Sequence, residues 1–355
     1  MISLSLALYF ATFSSSLLLS RFYRKGLEKN RASYLLLIIL VIIPPVLLSS
    51  FRKGIGTDYY GYQEVFESIK SSISFAGLFS FYQEPGWVLI NLLSNSYFTV
   101  LLISSILYSL IITIAIFKIK NKIGITFPLF VSYMVFYSLS FNGIRQAIAA
   151  AFFLLALTYI KKSKLKYIIF IIVGSLFHKS ALICLLLLFV FLIKQMKMSK
   201  VILTIIVMSV VIIAFSGLLV MILERLHLYT KYTDGSDSSG NGGIGFLLYL
   251  LPVTFLLFYL TQRYRINDKF YLFLLFVFLL QIPFQFLGSK IAFADRIAEY
   301  GLVSQVFLIP YALKFIKNRN TRIFYLFLYT SWYVFYYIFM FVILKSNGVY
   351  PYFVQ

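Results

Sequence analysis

Long apolar runs, separated by short basic or polar segments, recur along the whole chain. A helix needs about 20 apolar residues to cross a bilayer, or somewhat fewer where its ends are anchored, and about twelve runs approach this length. They predict helices near residues 2–20, 32–50, 97–117, 125–141, 145–160, 167–178, 180–193, 201–222, 246–262, 270–288, 297–313 and 323–344. The pattern therefore predicts an all-α polytopic membrane protein with about 12 transmembrane helices, within a range of roughly 11–13.

Three segments depart from a simple spanning pattern. The runs 167–178 and 180–193 are too short to cross a bilayer alone, and they predict a broken hairpin whose apex lies inside the membrane. The segment GWVLINLL, residues 86–93, is expected to be a re-entrant or interfacial piece.

The composition supports a membrane protein. Hydrophobic residues make up 61% of the chain and charged residues 12%, whereas a typical soluble domain carries roughly 25% charged residues. Since no polar stretch is long enough to fold separately, we expect one transmembrane domain over residues 1–355, with outer segments near 51–85 and 223–245 as caps over the helices. The single cysteine, Cys184, and the two histidines exclude a disulfide framework and Cys-rich or His-rich metal sites.

The net charge of +21 is distributed in a way that indicates orientation in a membrane. Six short clusters between the apolar runs hold 22 of the 32 Lys and Arg residues, at residues 21–31, 118–122, 161–166, 194–200, 263–269 and 314–322. By the positive-inside rule these clusters are cytoplasmic, and with twelve spans both termini are then outside. Nine of the eleven acidic residues fall on the outer side, which is where we expect the chemistry.

Several outer-side clusters carry polar residues that are costly near a membrane and therefore point to function. In the first, residues 51–66, a basic pair and a glycine-rich stretch suit an anion. Its members are Arg52, Lys53, Gly54 and Gly56, followed by Asp58, Tyr59, Tyr60 and Tyr62 as carboxylate and hydroxyl partners for sugar. An interfacial loop with a basic anchor and a tyrosine belt is the alternative interpretation.

The second cluster is YQEPGW, where Glu84 precedes Pro85 at the start of an apolar run. Proline at the first helical position after an acidic residue is typical of a helix start, so one interpretation of Glu84 is that it caps this helix. A carboxylate that faces a cavity is the other.

The third cluster is FNGIRQAIAAAF, which contains Asn142, Arg145 and Gln146. The spacing i, i+3 and i+4 predicts that these three residues share one helical face. An arginine at the outer start of a helix adds to the positive end of the helix dipole and favours an anion site. The alanines that follow predict close packing against a neighbouring helix.

The fourth cluster lies at the apex of the broken hairpin. A helix that starts near Tyr167 carries the chain only about 16 Å in eleven residues, roughly half the bilayer. His178 and Lys179 are then expected below the outer surface, where a functional pair and a hydrogen-bonded structural histidine are both open interpretations.

A related group follows in SKIAFADRIAEY, residues 289–300, and consists of Lys290, Asp295, Arg296 and Glu299. Asp295 and Glu299 are spaced i, i+4 and so share a helical face, from which Arg296 is offset. A local salt-bridged helix start is the alternative to a functional site.

Several enzyme motifs are absent from the sequence, among them a Walker loop, a dinucleotide-binding glycine fingerprint, His-Glu-x-x-His, Gly-x-Ser-x-Gly and Asp-x-Asp. ATP hydrolysis, nicotinamide chemistry, zinc peptidase activity and nucleotide-sugar metal binding therefore lose support. A transporter stays open because broken helices with intramembrane charges are also typical of transporters.

Taken in order, GIGTDYYGYQEVF (54–66), EPGW (84–87), FNGIRQAIA (141–149) and GSLFHKSALI (174–183) resemble the EpsG-like and O-antigen polymerase (Wzy-type) family of bacterial polysaccharide polymerases. The resemblance implies an all-helical glycosyltransferase of the bacterial inner membrane that joins repeat units carried on undecaprenyl diphosphate at the periplasmic face. Donor and acceptor are then undecaprenyl-diphosphate-linked oligosaccharides, no cofactor is expected, and a polysaccharide chain-length regulator is a candidate partner.

Within this scheme the polar residues take three roles. For the lipid diphosphates we expect Arg145 and Arg296, with Arg52 and Lys179 as further candidates. The base that activates the attacking hydroxyl is expected among Asp58, His178, Glu84 and Asp295. Sugar binding is expected of Tyr59, Tyr62, Asn142, Gln146 and Glu299. Fixed cations replace a divalent ion, so the activity is expected to be independent of metal.

An O-antigen ligase and a lipid-linked oligosaccharide flippase or transporter are the alternatives. The ligase family usually carries a longer periplasmic loop than this chain offers. A flippase would need polar residues that continue into the cytoplasmic half of the membrane, where most segments here are apolar.

Overall fold

The computed structural model describes residues 2–23, 30–72, 83–225, 242–288, 291 and 294–352. The described residues are all-helical and contain no strand. Six described helices are long and apolar enough to cross a membrane, and shorter apolar helices lie between them. The prediction of an all-helical, polytopic membrane protein is confirmed.

The described chain divides into two compact units, residues 1–185 with 331–355, and residues 186–330. Within residues 1–185 the helices are α1 (Ile2–Ser20), α2 (Arg31–Ser50), α3 (Tyr59–Ser72), α4 (Pro85–Leu93), α5 (Tyr97–Ile123), α6 (Thr126–Ser132), α7 (Ile144–Leu157) and α8 (Lys164–Ser175). The helices that follow are α9 (Leu186–Leu192), α10 (Met198–Arg225), α11 (Gly242–Arg263), α12 (Lys269–Leu279), α13 (Gln281–Gly288), α14 (Asp295–Leu313) and α15 (Arg319–Tyr337).

Short non-α segments interrupt the chain at several points. A π-helical stretch (Tyr133–Tyr137) and a 3₁₀ turn (Ser138–Phe141) follow α6, and a 3₁₀ segment (Lys179–Leu185) joins α8 to α9. A second π-helical stretch (Ile338–Ile343) and a 3₁₀ turn (Ser346–Gly348) follow α15. The residues of the predicted broken hairpin, 167–193, comprise most of α8, a 3₁₀ segment and α9 in chain order, and residues 176–185 are called the hairpin apex.

Polar residues fix where several of the helices begin. The side chains of Asn30, Ser96, Ser163 and Asp268 each accept a hydrogen bond from a backbone N–H in the first turn of α2, α5, α8 and α12, respectively. These caps satisfy N–H groups that have no partner inside the helix, and they explain why the apolar runs become helical at these points.

Small residues let α7 and α8 approach closely in the first unit. Four alanines of α7 are buried, namely Ala147, Ala149, Ala150 and Ala151. A Cβ atom added to Gly174 of α8 would lie 3.3 Å from the carbonyl oxygen of Ala149 and 3.1 Å from the Cβ atom of Phe152. The predicted packing of the alanine run against a neighbouring helix is therefore observed.

Basic residues from two predicted cytoplasmic clusters, and a tyrosine from a third, gather at one end of the first unit. Lys120 lies over the rings of Tyr23 and Tyr34, at 5.1 and 4.9 Å, and Lys118 lies 4.7 Å from the ring centre of Tyr159. Lys166 approaches the same Tyr159 ring, at 5.5 Å. These cation–π contacts bring together segments that the charge pattern assigned to one side of the membrane.

The segment after α15 closes against the opposite ends of these helices. Tyr9 donates to the carbonyl oxygen of Val349 at 2.6 Å, and Tyr352 donates to that of Leu48 at 2.7 Å. The backbone N–H of Gly56 donates to the carbonyl oxygen of Gly348 at 3.0 Å. The segment therefore ties α1, the end of α2 and the loop before α3 to one another.

Candidate functional site

Glu84 begins α4 but does not cap it. Pro85 occupies the first helical position, where its missing N–H is not needed, and the Glu84 side chain makes no hydrogen bond to the helix that follows. Its Oε2 atom instead lies 2.5 Å from Nη1 of Arg145, and its Oε1 atom accepts from the backbone N–H of Lys179 at 3.3 Å. The residue therefore marks a helix start, as the sequence indicates, but its side chain does not cap the helix and contacts other elements instead.

Arg145 lies in the first turn of α7 and is the centre of the cluster. Its Nη1 atom also donates to the side-chain oxygen of Gln83, and Tyr62 of α3 interacts with the guanidinium. Its Nε atom is buried and has no hydrogen-bond partner within the described residues. Tyr62 of α3 and the two residues before α4 thus meet at one guanidinium that still has a donor to offer, an arrangement that suits an anion.

Glycine at position 86 allows α4 to reach the hairpin apex. The N–H of Gly86 donates to the carbonyl oxygen of Leu176 at 2.7 Å. A Cβ atom at Gly86 would lie 2.7 Å from that oxygen, closer than real Cβ atoms come, so only glycine fits without a backbone shift. This contact sets the position of Glu84, two residues earlier.

His178 is buried at the hairpin apex. Its Nδ1 atom lies 2.6 Å from the hydroxyl of Ser180 and 3.4 Å from the backbone N–H of the same residue. Since a backbone N–H can only donate, Nδ1 accepts, and the proton of the neutral ring is on Nε2. In this form the imidazole can donate a hydrogen bond through Nε2. Lys179 beside it is exposed.

Asn142 and Arg145 do not share a helical face, which differs from the prediction. Helix α7 begins only at Ile144, after Gly143, and Asn142 ends the preceding 3₁₀ turn. The Nδ2 atom of Asn142 donates to the carbonyl oxygen of Asn347 at 2.8 Å, so it contacts the closing segment rather than Glu84. Gln146 is buried inside α7.

The first cluster is divided by the fold. Arg52 is 3% exposed and donates to the hydroxyl of Ser49 and to the carbonyl oxygen of Phe141. Asp58 is exposed and accepts from the hydroxyl of Thr57 at 3.2 Å. Tyr59 is buried, and only Tyr62 turns toward Arg145.

Asp295, Arg296 and Glu299 lie in the second unit, in the first turns of α14. Asp295 packs against Gly288, where an added Cβ atom would lie 2.8 Å from the Cβ atom of Asp295. Asp295 is exposed, and the other two residues are half-buried. The fourth residue of this predicted group, Lys290, lies outside the described residues.

Two partners in this region were not predicted from the sequence. Gln83, which bonds Arg145, stands inside the motif that drew attention to Glu84 but carries no charge to single it out. Asn347 accepts from both Asn142 and the N–H of Thr57 through its carbonyl oxygen. The Asn347-Gly348 dipeptide is a turn signal that indicates a bend there, although not what the bend contacts.

The helices and the partly buried ion pair define a multi-pass membrane protein with a polar cluster at one end of its first unit. Residues 34–354, nearly the whole chain, match the EpsG family. The chain therefore belongs to the EpsG family, a family of Wzy-type polymerases, and the resemblance stated above is confirmed. No curated protein and no solved structure matches the chain.

Proposed function

We propose that this protein is a polysaccharide polymerase that joins undecaprenyl-diphosphate-linked repeat units by glycosyl transfer at the periplasmic face of the bacterial inner membrane. Family membership supports a polymerase-like function. The observation that carries the proposal is the partly buried pair of Arg145 and Glu84, which lies at the end of the first unit opposite its basic cation–π cluster.

Arg145 is proposed to bind the diphosphate of the donor lipid. Its Nε donor has no partner within the described residues, and its Nη1 donor is held by a carboxylate, which like a diphosphate offers anionic oxygen acceptors to a guanidinium. A diphosphate that arrives here takes up the unused donor and competes with Glu84 for the rest of the guanidinium. The exposed side chain of Lys179, which adjoins the Glu84 contact, is a second cation for the same group.

This competition gives Glu84 a role in proton transfer. As the acceptor hydroxyl forms a bond to the anomeric carbon, the bond from that carbon to the diphosphate oxygen breaks, and the diphosphate leaves with the electron pair. Arg145 stabilises the leaving group, and the carboxylate that it releases accepts the hydroxyl proton. Asp58 is the alternative base, whereas His178, which carries its proton on Nε2, is better placed as a hydrogen-bond donor.

The remaining roles follow the sequence assignments. Tyr62, next to Arg145, is proposed to bind sugar, as are Tyr59, Asn142 and Gln146. In the second unit, Arg296 is proposed to bind a lipid diphosphate, with Asp295 and Glu299 as its acidic neighbours. No divalent ion enters the scheme, because fixed cations stabilise the leaving group.

The test is the length distribution of surface polysaccharide in a strain that lacks the gene. We expect wild type to restore the ladder of repeat units and Arg145→Ala to leave single units, with equal amounts of protein in the membrane. Arg145→Lys should restore only part of the ladder, because lysine lacks the planar donor fork. Lys164→Ala is the matched control, since it removes one exposed cation at the opposite end of the unit.

Other outcomes would point to another function. If the deletion strain attaches no repeat units at all to the final carrier molecule, neither single nor polymerised, the protein would be a ligase or a flippase. A full ladder with Arg145→Ala would contradict the proposed role of the ion pair.

A further inference from the structure

A small cavity with room for about one water-sized occupant lies in the first unit, next to the buried guanidinium of Arg52. Its polar lining consists of hydroxyl groups from Ser49, Ser104, Ser105, Tyr108 and Ser140, together with Arg52. The site is separate from the Glu84–Arg145 pair, and nothing in the proposed reaction uses it.

The charge of Arg52 has no carboxylate partner within the described residues. Nη1 donates to the hydroxyl of Ser49 at 3.0 Å, Nη2 donates to the carbonyl oxygen of Phe141 at 3.3 Å, and the guanidinium lies 4.4 Å from the Phe141 ring centre. These partners are all neutral. A buried ion that is not neutralised costs several kcal/mol, so a compensating negative charge is expected nearby.

Hydrogen-bond donors around the cavity also lack acceptors. The Nε atom of Arg52 is buried and unpartnered within the described residues, and the same is true of the Ser104 hydroxyl. The Ser49 oxygen accepts one hydrogen bond from Arg52 and another, at 2.8 Å, from the hydroxyl of Ser105. The hydroxyl proton of Ser49 can therefore be donated to a different acceptor. The phenol of Tyr108 lines the same space.

We propose that this cavity binds one small monovalent anion of the size of chloride. A cavity of this volume accommodates a single water-sized occupant, which rules out a diphosphate without a change in the fold. The anion neutralises Arg52 and accepts from the groups that lack acceptors. Because Arg52 also holds the carbonyl of Phe141, four residues before Arg145, the anion stabilises the turn that leads into α7.

The test is thermal unfolding of the purified full-length protein in detergent, in sodium chloride or bromide against sodium gluconate at equal ionic strength. We expect a saturable rise of about 2 °C or more in the midpoint with either halide, and none with gluconate, which is too large for the cavity. Arg52→Met should abolish the halide response. Lys53→Met, which removes an exposed cation at the next position, should keep it.

One further measurement, on the wild-type protein, keeps the inference open to refutation if Arg52→Met does not fold. Crystals of wild-type protein grown in bromide should show an anomalous peak in the cavity. Absence of both the peak and the halide response would mean that the cavity holds only water, which would overturn the proposal. A stabilisation by inorganic pyrophosphate that needs Arg52, without a halide response, would also overturn it and would assign Arg52 to the diphosphate site.

Discussion

The ion pair between Glu84 and Arg145 predicts a strong energetic coupling between these two residues. The Nη1 to Oε2 distance is 2.5 Å, and the two side chains are only 10% and 22% exposed, respectively. Glu84→Gln keeps the shape of the side chain but leaves the arginine charge without a counterion, whereas Arg145→Met leaves the carboxylate alone. Removal of one partner from a buried pair costs about 3–5 kcal/mol, and we expect the lower end because Arg145 retains some exposure.

The double variant removes both charges, so no uncompensated ion remains. Its destabilisation should be smaller than the sum of the two single effects by about 2 kcal/mol or more. The assay is equilibrium unfolding of the purified protein in mixed micelles with increasing sodium dodecyl sulfate. A second cycle that combines Glu84→Gln with Lys164→Ala serves as the control and should be additive, because Lys164 lies at the far end of the unit.

Additivity of Glu84→Gln and Arg145→Met within about 0.5 kcal/mol would refute this reasoning. It would mean that the two charges are solvated independently, and that Arg145 has no need of an anionic partner.

Three further predictions follow from the same region. Gly86→Ala places a Cβ atom 2.7 Å from the Leu176 oxygen, and it should lower the free energy of unfolding by about 1–3 kcal/mol and reduce polymerisation. The control Gly61→Ala, whose Cβ atom lies in open space, should change neither quantity. Equilibrium unfolding measures the first effect, and the length of the polysaccharide product measures the second. His178→Gln should retain more polymerisation than His178→Asn, because a glutamine amide reaches the position of Nε2–H; equal losses would count against donation from that nitrogen. Polymerisation in purified protein should survive chelation of divalent cations, and a strict requirement for magnesium would contradict the role of fixed cations.

The apolar runs predicted most helices to within a few residues, because a helix in a membrane is set by the length of its apolar stretch. Helix α3 was not predicted, since its sequence YYGYQEVFESIKSS is largely polar and only Tyr59 and Ile69 are buried. Its position depends on packing against α4 and on the hydrogen bond from Tyr97 to the Tyr59 carbonyl, which local sequence does not encode.

The sequence predicts which residues form the candidate site better than it predicts which of them contact one another. Glu84 and Arg145 were both singled out, but their pairing is a tertiary contact between residues 61 positions apart. The sequence places Arg52 in an outer-side cluster that suits an anion, or in an interfacial loop, but its burial depends on Phe141, which packs over it from a distant part of the chain. Asn142 was assigned to a helical face because the sequence spacing does not reveal that Gly143 delays the start of α7.

The most direct test of the central claim is polymerisation by purified protein in liposomes that contain undecaprenyl-diphosphate-linked repeat units. Wild type and Lys164→Ala should convert single units into a ladder of polymers, and Arg145→Ala should reduce the rate by at least about 100-fold while the protein remains folded. Polymer formation by Arg145→Ala at the wild-type rate would contradict the claim that this guanidinium stabilises the leaving diphosphate.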